Sequence, residues 1–199
     1  MKIGVISDIH ENFHNLILAL NKMEEEGVEQ IICLGDLMNA GVAKILAHHT
    51  VPTYLIWGNN DGEKVDITKA SFRPGSQLTV SLNVYDFLEF DGRKIFVSHY
   101  DDLAKPMATS GLYDAVFFGH NHIVSEERVG EVLVVNPGEL AAMKSGKATL
   151  AIYETTDNSV KIIELEKAIS LMSELVDQYF RENMDRLGFR SKESFKENL

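Results

Sequence analysis

Five short polar clusters in this sequence contain the side chains that bind divalent metal ions, and each cluster follows an apolar run typical of a β-strand. Carboxylates, an amide oxygen and imidazoles are ligands that Mn²⁺, Fe²⁺, Ni²⁺ or Zn²⁺ accept in two-metal hydrolytic sites. Because the clusters are spread over more than a hundred residues, we expect one shared centre assembled by the fold. None of the five clusters contains a cysteine, which argues against a structural zinc site. The clusters are Ser7-Asp8-Ile9-His10, Gly35-Asp36, Gly58-Asn59-Asn60-Asp61, Ser98-His99 and Gly119-His120-Asn121-His122.

The elements that would position these clusters alternate between strand and helix in the first half of the chain. The clearest helical pattern runs over 13–26, with Leu16, Ile17, Leu20 and Met23 on one face and Gly27 as its end. Such alternation predicts parallel strands joined by right-handed crossovers, and sheets of this kind place ligands beyond the carboxyl ends of their strands. Strand-like runs occur at about 2–7, 30–34, 53–57, 84–90, 93–98, 115–118, 132–135, 148–153 and 160–165.

Turn signals replace helical connections in the second half of the chain. Asp91-Gly92 joins two apolar runs, and Thr155-Thr156-Asp157-Asn158 joins another pair, so both segments predict hairpins. Crossovers followed by hairpins indicate an α/β fold. We expect two packed mixed β-sheets flanked by helices, which is an α/β/β/α sandwich.

The last part of the chain has a different pattern. Apolar residues recur at helical spacing from Glu166 to Leu187, and Gly188 follows as a helix end. This pattern predicts an added C-terminal helix. We therefore divide the chain into a main domain over 1–165 and a helical extension over 166–199, which packs on that domain or on another subunit of a homo-oligomer.

Length and composition limit the class of protein. With 199 residues, 45% of them apolar, the chain can bury a sizeable core as one domain. The single cysteine, Cys33, lies in an apolar run and is expected to be a small buried side chain. No apolar segment approaches the roughly 20 residues needed to span a bilayer, and the chain begins on a strand. We therefore expect a cytoplasmic protein with no membrane partner.

Net charge restricts the substrates. The formal net charge is −11, of which −10 falls on residues 1–165, so the main domain is acidic. An acidic surface repels the backbone of a long nucleic acid, whereas bound divalent cations still attract a single phosphate locally. A small phosphorylated substrate fits this charge better than DNA or RNA does.

The order of the five clusters resembles the calcineurin-like metallophosphoesterase superfamily, in particular its small single-domain phosphodiesterase branch. Asp-x-His, Gly-Asp, Gly-Asn-x-Asp, a lone strand-end His and Gly-His-x-His follow one another here over roughly residues 1–165. The resemblance implies a dinuclear-metal phosphodiesterase that hydrolyses small phosphate esters by in-line attack of a hydroxide bridging the ions. The alternatives are a phosphomonoesterase and a protein-binding scaffold of the same fold with vestigial activity.

The resemblance also divides the metal ligands between two ions and assigns one carboxylate as a bridge, which would offset the repulsion between ions about 3.5 to 4 Å apart. Mn²⁺ is the expected metal, with Ni²⁺, Fe²⁺ and Zn²⁺ as alternatives. The residues expected to act most directly in catalysis are Asp8, Asp36, Asn59 and His99. The implied ligands are Asp8, His10 and His122 for one ion, Asn59, His99 and His120 for the other, and Asp36 between them.

Several of these residues also have a purely structural interpretation. Asp8 and Asp36 each follow a strand and could cap a helix instead. His120 and His122 lie two apart and would point to opposite faces of a regular strand. They can share a centre only if the backbone turns, which we expect Gly119 to allow.

Residues beside the predicted ligands are candidates for substrate contact or for orienting the ligands. Asn12 matches an asparagine of the family pattern, although capping of the first helix is an equal alternative. Asn60 stands where many phosphatases of the family have a histidine that protonates the leaving group, so its presence favours diesters over monoesters. Asp61 is expected to orient the region around Asn59. Tyr100 replaces a common glycine and would reshape the substrate pocket.

Overall fold

Two β-sheets packed face to face form the main body of the protein in the computed structural model, which describes residues 1–172. The strands are β1 (Lys2–Ile6), β2 (Gln30–Cys33), β3 (Thr53–Leu55), β4 (Leu78–Val80), β5 (Tyr85–Phe90), β6 (Arg93–Ser98), β7 (Ala115–Phe117), β8 (Ser125–Val129), β9 (Val132–Asn136), β10 (Thr149–Glu154) and β11 (Ser159–Glu164). The helices are α1 (Phe13–Glu26), α2 (Ala40–His48), α3 (Lys64–Ser71) and α4 (Asp101–Thr109).

The first sheet has six strands in the order β11-β10-β1-β2-β3-β4. Strands β1 to β4 are parallel to one another, as crossover connections between them require. β10 pairs antiparallel with both β1 and β11, and the turn at 155–158 closes the β10–β11 hairpin. The carboxyl ends of β1, β2 and β3 therefore meet at one edge of this sheet.

The second sheet has five strands in the order β5-β6-β7-β9-β8. β6, β7 and β9 are parallel, whereas β5 and β8 pair antiparallel as the outer strands. The turn at Asp91-Gly92 joins β5 to β6, with both residues in the left-handed region. The carboxyl ends of β6 and β7 lie at one edge of this second sheet.

Three apolar layers hold the sheets and helices together. Side chains that include Val5, Ile32, Ile95 and Phe117 fill the space between the two sheets. A second layer joins the first sheet to α1, α2 and α3 and contains the buried thiol of Cys33. A third layer packs α4 on the outside of the second sheet. Burial raises the pKa of the Cys33 thiol, as expected for an unreactive core side chain.

Helix α1 shows how the sequence specifies this layering. Its buried residues Leu16, Leu20 and Met23 recur at helical spacing, and Gly27 ends it in the left-handed conformation. The prediction that Ile17 shares this face is wrong, because its side chain is exposed. Gly4 on β1 leaves room for the Met23 side chain, because a Cβ there would overlap the Met23 sulfur. The close contact packs the C-terminal part of α1 against the middle of β1.

The structure confirms the predicted fold class, two mixed sheets flanked by helices, and both predicted hairpins. The predicted bounds of α1 are those observed. Two strands were not predicted, β4 and β8. β4 has three residues, and β8 is a largely exposed strand whose centre is the charged run Glu126-Glu127-Arg128, so neither shows a clear apolar pattern.

The predicted C-terminal helix lies mostly outside the described residues. Its first part, over 166–172, consists of turns and irregular backbone, so a helix beginning at Glu166 is wrong. The Ile169 peptide there is held by Asn15, which explains why the segment follows the body instead of starting a helix. Within residues 1–172, none of the helices has the length and apolar character needed to cross a membrane.

Candidate metal centre

The seven predicted ligands lie in loops at the carboxyl ends of strands from both sheets. Four of them follow strands of the first sheet, and three follow strands of the second. The arrangement is what crossover connections produce, because loops at this end of a parallel sheet converge. From the first sheet come Asp8 and His10 after β1, Asp36 after β2 and Asn59 after β3, and from the second come His99 after β6 and His120 and His122 after β7.

One group of donors consists of Asp8, His10 and His122, whose ligand atoms all lie within 4.8 Å of one another. Asp8 Oδ1 is 3.4 Å from Nε2 of His122 and 3.7 Å from Nε2 of His10. The two imidazole rings stack with their centroids 5.1 Å apart. This group matches the set that the resemblance implies for one ion.

A second group surrounds Asp36 and His99. Their ligand atoms and a carboxylate oxygen of Asp8 lie within 4.8 Å of one another. Nε2 of His99 is 3.0 Å from Oδ1 of Asn59 and 3.6 Å from Oδ2 of Asp36. The same Asp36 oxygen is 3.6 Å from Nε2 of His10, so Asp36 lies between the two groups, where a bridging ligand would have to be.

His120 lies beside the second group. Its ring centroid is 5.1 Å from that of His99, and its backbone N–H donates to Oδ2 of Asp8 at 3.0 Å. Asp8 is therefore held by the backbone of the same loop that carries His120 and His122.

The hydrogen bonds of His99 place acceptor atoms opposite one another in the second group. Nδ1 of His99 donates to the carbonyl oxygen of Leu34 at 2.7 Å, and a neutral imidazole then has only a lone pair at Nε2. That lone pair faces the Asn59 and Asp36 oxygens. Since lone pairs that face one another repel, a cation bound between these atoms would relieve the repulsion. The donor set therefore fits a metal ion.

Orphaned polar atoms support the same conclusion. Asp8 is fully buried, yet its Oδ1 has no hydrogen-bond partner, and neither does Nε2 of His10. Burying a polar atom without a partner costs about 1–3 kcal/mol, so such atoms are rare in folded proteins unless they bind a ligand. Of the five buried side-chain atoms without a hydrogen-bond partner in the described residues, these two belong to the first donor group.

The charges of this group favour metal binding. Burial raises the pKa of Asp8, but contacts with His10 and Ser7 and the nearby His122 together outweigh burial and lower that pKa below its usual value. Burial lowers the pKa of His10, while Asp8 and Asp36 raise it, and the net pKa is raised. The carboxylate is thus held in its anionic form, the form that binds a cation.

Backbone conformation explains how the histidines converge. His120 and His122 have φ of 68° and 67°, in the left-handed region that non-glycine residues rarely adopt. Asp8, His10 and Asp36 share this conformation, with φ between 45° and 55°. Strained residues of this kind concentrate at functional sites. The alternation of a regular strand is broken at these positions, so both histidines face the centre.

The role predicted for Gly119 is therefore wrong in one respect. The backbone does turn, but His120 and His122 make the turn, and Gly119 does not have a positive φ. Instead, Gly119 permits a close approach, because a Cβ there would overlap Ser7 Oγ and lie 3.0 Å from Asp8 Oδ2. Glycine is needed for the space between two ligand loops.

Asp61 organises the loops that carry Asp36 and Asn59. Its Oδ2 accepts the backbone N–H groups of Gly58 at 2.7 Å and Asp36 at 3.1 Å, and its Oδ1 accepts that of Met38 at 2.9 Å. The side chain is buried, so these three donors depend on it. The contacts agree with the orienting role predicted for Asp61.

We expect Asp61→Asn to lower the free energy of unfolding by about 1–3 kcal/mol, because an amide has one acceptor oxygen and leaves at least one buried N–H without a partner. Urea unfolding of the metal-free protein measures the change. The control is Asp66→Asn, which alters an exposed pair with Lys69 and should change stability by less than about 1 kcal/mol. Equal effects of the two substitutions would contradict the role of Asp61.

The other candidates beside the ligands have distinct contacts. Asn60 holds the Asp36 carboxylate twice, through its backbone N–H and its side-chain amide, each at 2.7 Å. Tyr100 lies against the rings of His99 and His120 at 5.1 and 5.0 Å. Asn12 caps α1 by accepting from the backbone N–H of Asn15, and its amide donates to backbone carbonyls, so the capping alternative is correct for this residue.

Sequence reasoning gave no role to Glu139, yet this residue contacts a candidate ligand. Its fully buried carboxylate accepts from Nδ1 of His122 at 2.7 Å. Burial raises the pKa of Glu139, but hydrogen bonds from His122, Ser145 and Met143 lower it to about 2. One signal was available, because a carboxylate directly before the apolar run Leu140-Ala141-Ala142 must have partners if it is buried.

The fold and these two groups of candidate ligands are typical of metal-dependent phosphoesterases, and the comparisons support the same class. A family model described as the calcineurin-like phosphoesterase superfamily domain matches residues 1–158. The chain belongs to this superfamily.

Similar proteins include characterised members of the superfamily. The chain is 33% identical over 170 residues to phosphodiesterase MJ0936 of Methanocaldococcus jannaschii, covering 83% of this chain and 100% of that protein. It is 26% identical to phosphodiesterase YfcE of Escherichia coli, covering 80% of this chain and 89% of YfcE. A solved structure of an archaeal phosphodiesterase shares 31% identity with a TM-score of 0.76, covering 83% of this chain and all of that one.

Proposed function

We propose that this protein is a phosphodiesterase that hydrolyses small phosphodiesters with two bound divalent metal ions. The observation that carries the proposal is the position of Asp36 between two donor groups, with one oxygen 3.6 Å from both His10 and His99. Similarity to a protein named phosphodiesterase, over all of that protein's length, supports the reaction class.

In this proposal the two donor groups hold one ion each. Asp36 would be a ligand shared by both ions, and a carboxylate oxygen of Asp8 also lies within reach of the second group. Mn²⁺ is the proposed metal, and Ni²⁺, Fe²⁺ and Zn²⁺ are its alternatives, since carboxylate and amide oxygens with imidazole nitrogens and no thiolate suit borderline divalent ions as a group. The proposed sets are Asp8, His10 and His122 for the first ion and Asn59, His99 and His120 for the second.

When bound, the two ions would supply a nucleophile at neutral pH and offset negative charge on the phosphate during in-line displacement. The protein's own residues orient this centre. Asp8 and Asp36 are buried and fixed by backbone and side-chain donors, so their oxygens need little reorganisation. Asn60 is exposed at the edge of the centre and is bound to Asp36.

The side chain at position 60 supports diesters as substrates. Asn60 cannot donate a proton with a matched pKa, so a poor leaving group would receive no help from this position. Small substrates are supported by the net charge of −10 on residues 1–165, which disfavours long nucleic acids. The cytoplasmic location and the homo-oligomer stay predictions from the sequence.

The test is a direct comparison of ester classes. With Mn²⁺ bound, we expect kcat/KM for bis(4-nitrophenyl) phosphate to exceed that for 4-nitrophenyl phosphate, which has the same leaving group. Activity should disappear after chelation and return when Mn²⁺ is restored. A preference for the monoester would instead support the phosphomonoesterase alternative. Metal binding without turnover of either ester would support the scaffold, which is not favoured because the ligand set is complete.

A further inference from the structure

We propose that Glu139 is a positioning residue for the metal ligand His122, selecting the tautomer and ring orientation in which Nε2 faces Asp8 and the first ion site. This inference rests on the proposed function, since it assigns a role toward the metal centre proposed above. Glu139 touches neither substrate nor metal in this proposal and acts only through the imidazole.

The first step concerns the tautomer. Oε2 of Glu139 lies 2.7 Å from Nδ1 of His122, and Nε2 of the same ring lies 3.4 Å from Oδ1 of Asp8. An ionised carboxylate only accepts hydrogen bonds, so Nδ1 must carry the hydrogen and a neutral ring has its lone pair at Nε2. The lone pair then points toward the carboxylate of Asp8, as a metal ligand requires.

The second step concerns the chemistry of the Glu139 pocket. Both carboxylate oxygens face donors only. Oε2 accepts from His122 and from the Met143 N–H at 3.0 Å, while Oε1 accepts from the N–H groups of Lys144 and Ser145 and from the Ser145 hydroxyl, all within 2.9 Å. A glutamine would place its NH₂ group against donors in either orientation of the amide. The pocket therefore requires a carboxylate.

The third step concerns rigidity. The backbone around Glu139 is tied to the strand that leads to Asp8, because Leu140 N–H donates to Ser7 O at 3.1 Å and Ala141 N–H donates to Asp8 O at 2.9 Å. The Glu139 carbonyl also accepts from the backbone N–H of Thr149, the first residue of β10. The carboxylate is thus fixed relative to Asp8, so it can set the distance between His122 and Asp8.

Among the candidate ligands, His99 also has its tautomer defined by a hydrogen bond, but its partner is different. Nδ1 of His99 donates to the carbonyl of Leu34, a backbone group that no substitution removes. His122 depends instead on a side chain. A substitution of Glu139 can therefore change the orientation of His122. We expect this change to weaken binding of the first ion more than binding of the second.

The experiment compares Glu139→Gln with Ser145→Ala and the wild type. Ser145→Ala removes one Glu139 contact and leaves the contact with His122, so it controls for general loosening of the 143–145 loop. Long-range ¹⁵N NMR spectra of the metal-free proteins report the His122 tautomer. Mn²⁺ titration by calorimetry reports the affinity of each ion, and near-UV circular dichroism verifies folding.

We expect His122 to carry its hydrogen on Nδ1 in the wild type and in Ser145→Ala. In Glu139→Gln we expect a mixture of tautomers and a roughly 10- to 100-fold weaker affinity for one Mn²⁺ equivalent, the usual effect of removing a partner of a metal ligand. The affinity of the other equivalent should change much less.

A wild-type His122 with a bare Nδ1 would overturn the inference, and this measurement needs no variant to fold. Equal loss of Mn²⁺ affinity in Ser145→Ala and Glu139→Gln would also overturn it, because the carboxylate would then act only through the loop. Failure of the proposed function is distinguishable, since a wild type that binds no Mn²⁺ would reject the metal centre whatever tautomer His122 shows.

Discussion

Asp36→Asn should reduce metal-dependent diester hydrolysis by more than about 100-fold, because partners that only orient a ligand already contribute 10- to 100-fold and Asp36 is itself a proposed ligand of both ions. The amide loses the negative charge that would offset the repulsion between the ions. It also presents one acceptor where two oxygens now accept from Asn60. We expect kcat/KM to fall and calorimetry to show fewer bound Mn²⁺ equivalents.

The matched control for this variant is Asp102→Asn, which changes an exposed carboxylate in the first turn of α4 by the same chemistry. It should keep wild-type activity and metal content. If Asp36→Asn remained as active as Asp102→Asn with the same metal requirement, the assignment of Asp36 as a bridge would be rejected.

Gly119→Ala should both destabilise the fold and weaken metal binding. The added methyl group would overlap Ser7 Oγ and lie 3.0 Å from Asp8 Oδ2. The backbone cannot easily retreat, because the Gly119 N–H donates to His99 O at 3.0 Å and its carbonyl accepts from the Asn136 amide at 3.0 Å. Overpacking of this kind costs about 1–3 kcal/mol of unfolding free energy. Displacement of Asp8 should lower the Mn²⁺ affinity as well.

Gly62→Ala is the corresponding control. This glycine lies just after the Gly58–Asp61 loop, and a Cβ there meets no atom within 4 Å. Urea unfolding and Mn²⁺ titration should both resemble the wild type. Should Gly119→Ala behave like Gly62→Ala in the two measurements, the loops around Asp8 would have to be more adaptable than the hydrogen bonds indicate.

The sequence predicts the parts of this molecule that follow from local periodicity and from strand ends. The spacing of Leu16, Leu20 and Met23 defines α1, and apolar runs followed by Asp8, Asp36 and His99 predict where candidate ligands lie. These predictions hold because a parallel sheet gathers its loops at one edge regardless of the details of each loop.

Other features depend on contacts between distant residues and have no local pattern. The carboxylate of Glu139 reaches His122 only because β9 and β7 are neighbours in the second sheet. The left-handed backbone at His120 and His122 is likewise set by the surrounding structure, since only a few per cent of non-glycine residues adopt it. Asn12 had two equal interpretations until the position of Asn15 favoured capping.

The origin of the ligands in both sheets has a consequence for the maturation of the protein. Oxygen donors come from the loops of the first sheet, whereas three of the four imidazoles come from the second. Neither sheet alone carries the whole proposed set of ligands. In the proposed enzyme, binding of the ions would therefore follow the packing of the two sheets against each other. A bound ion would then add its binding free energy to the stability of the interface between the two sheets. The amount of bound metal would then report whether the tertiary structure has formed as well as whether the enzyme can be active.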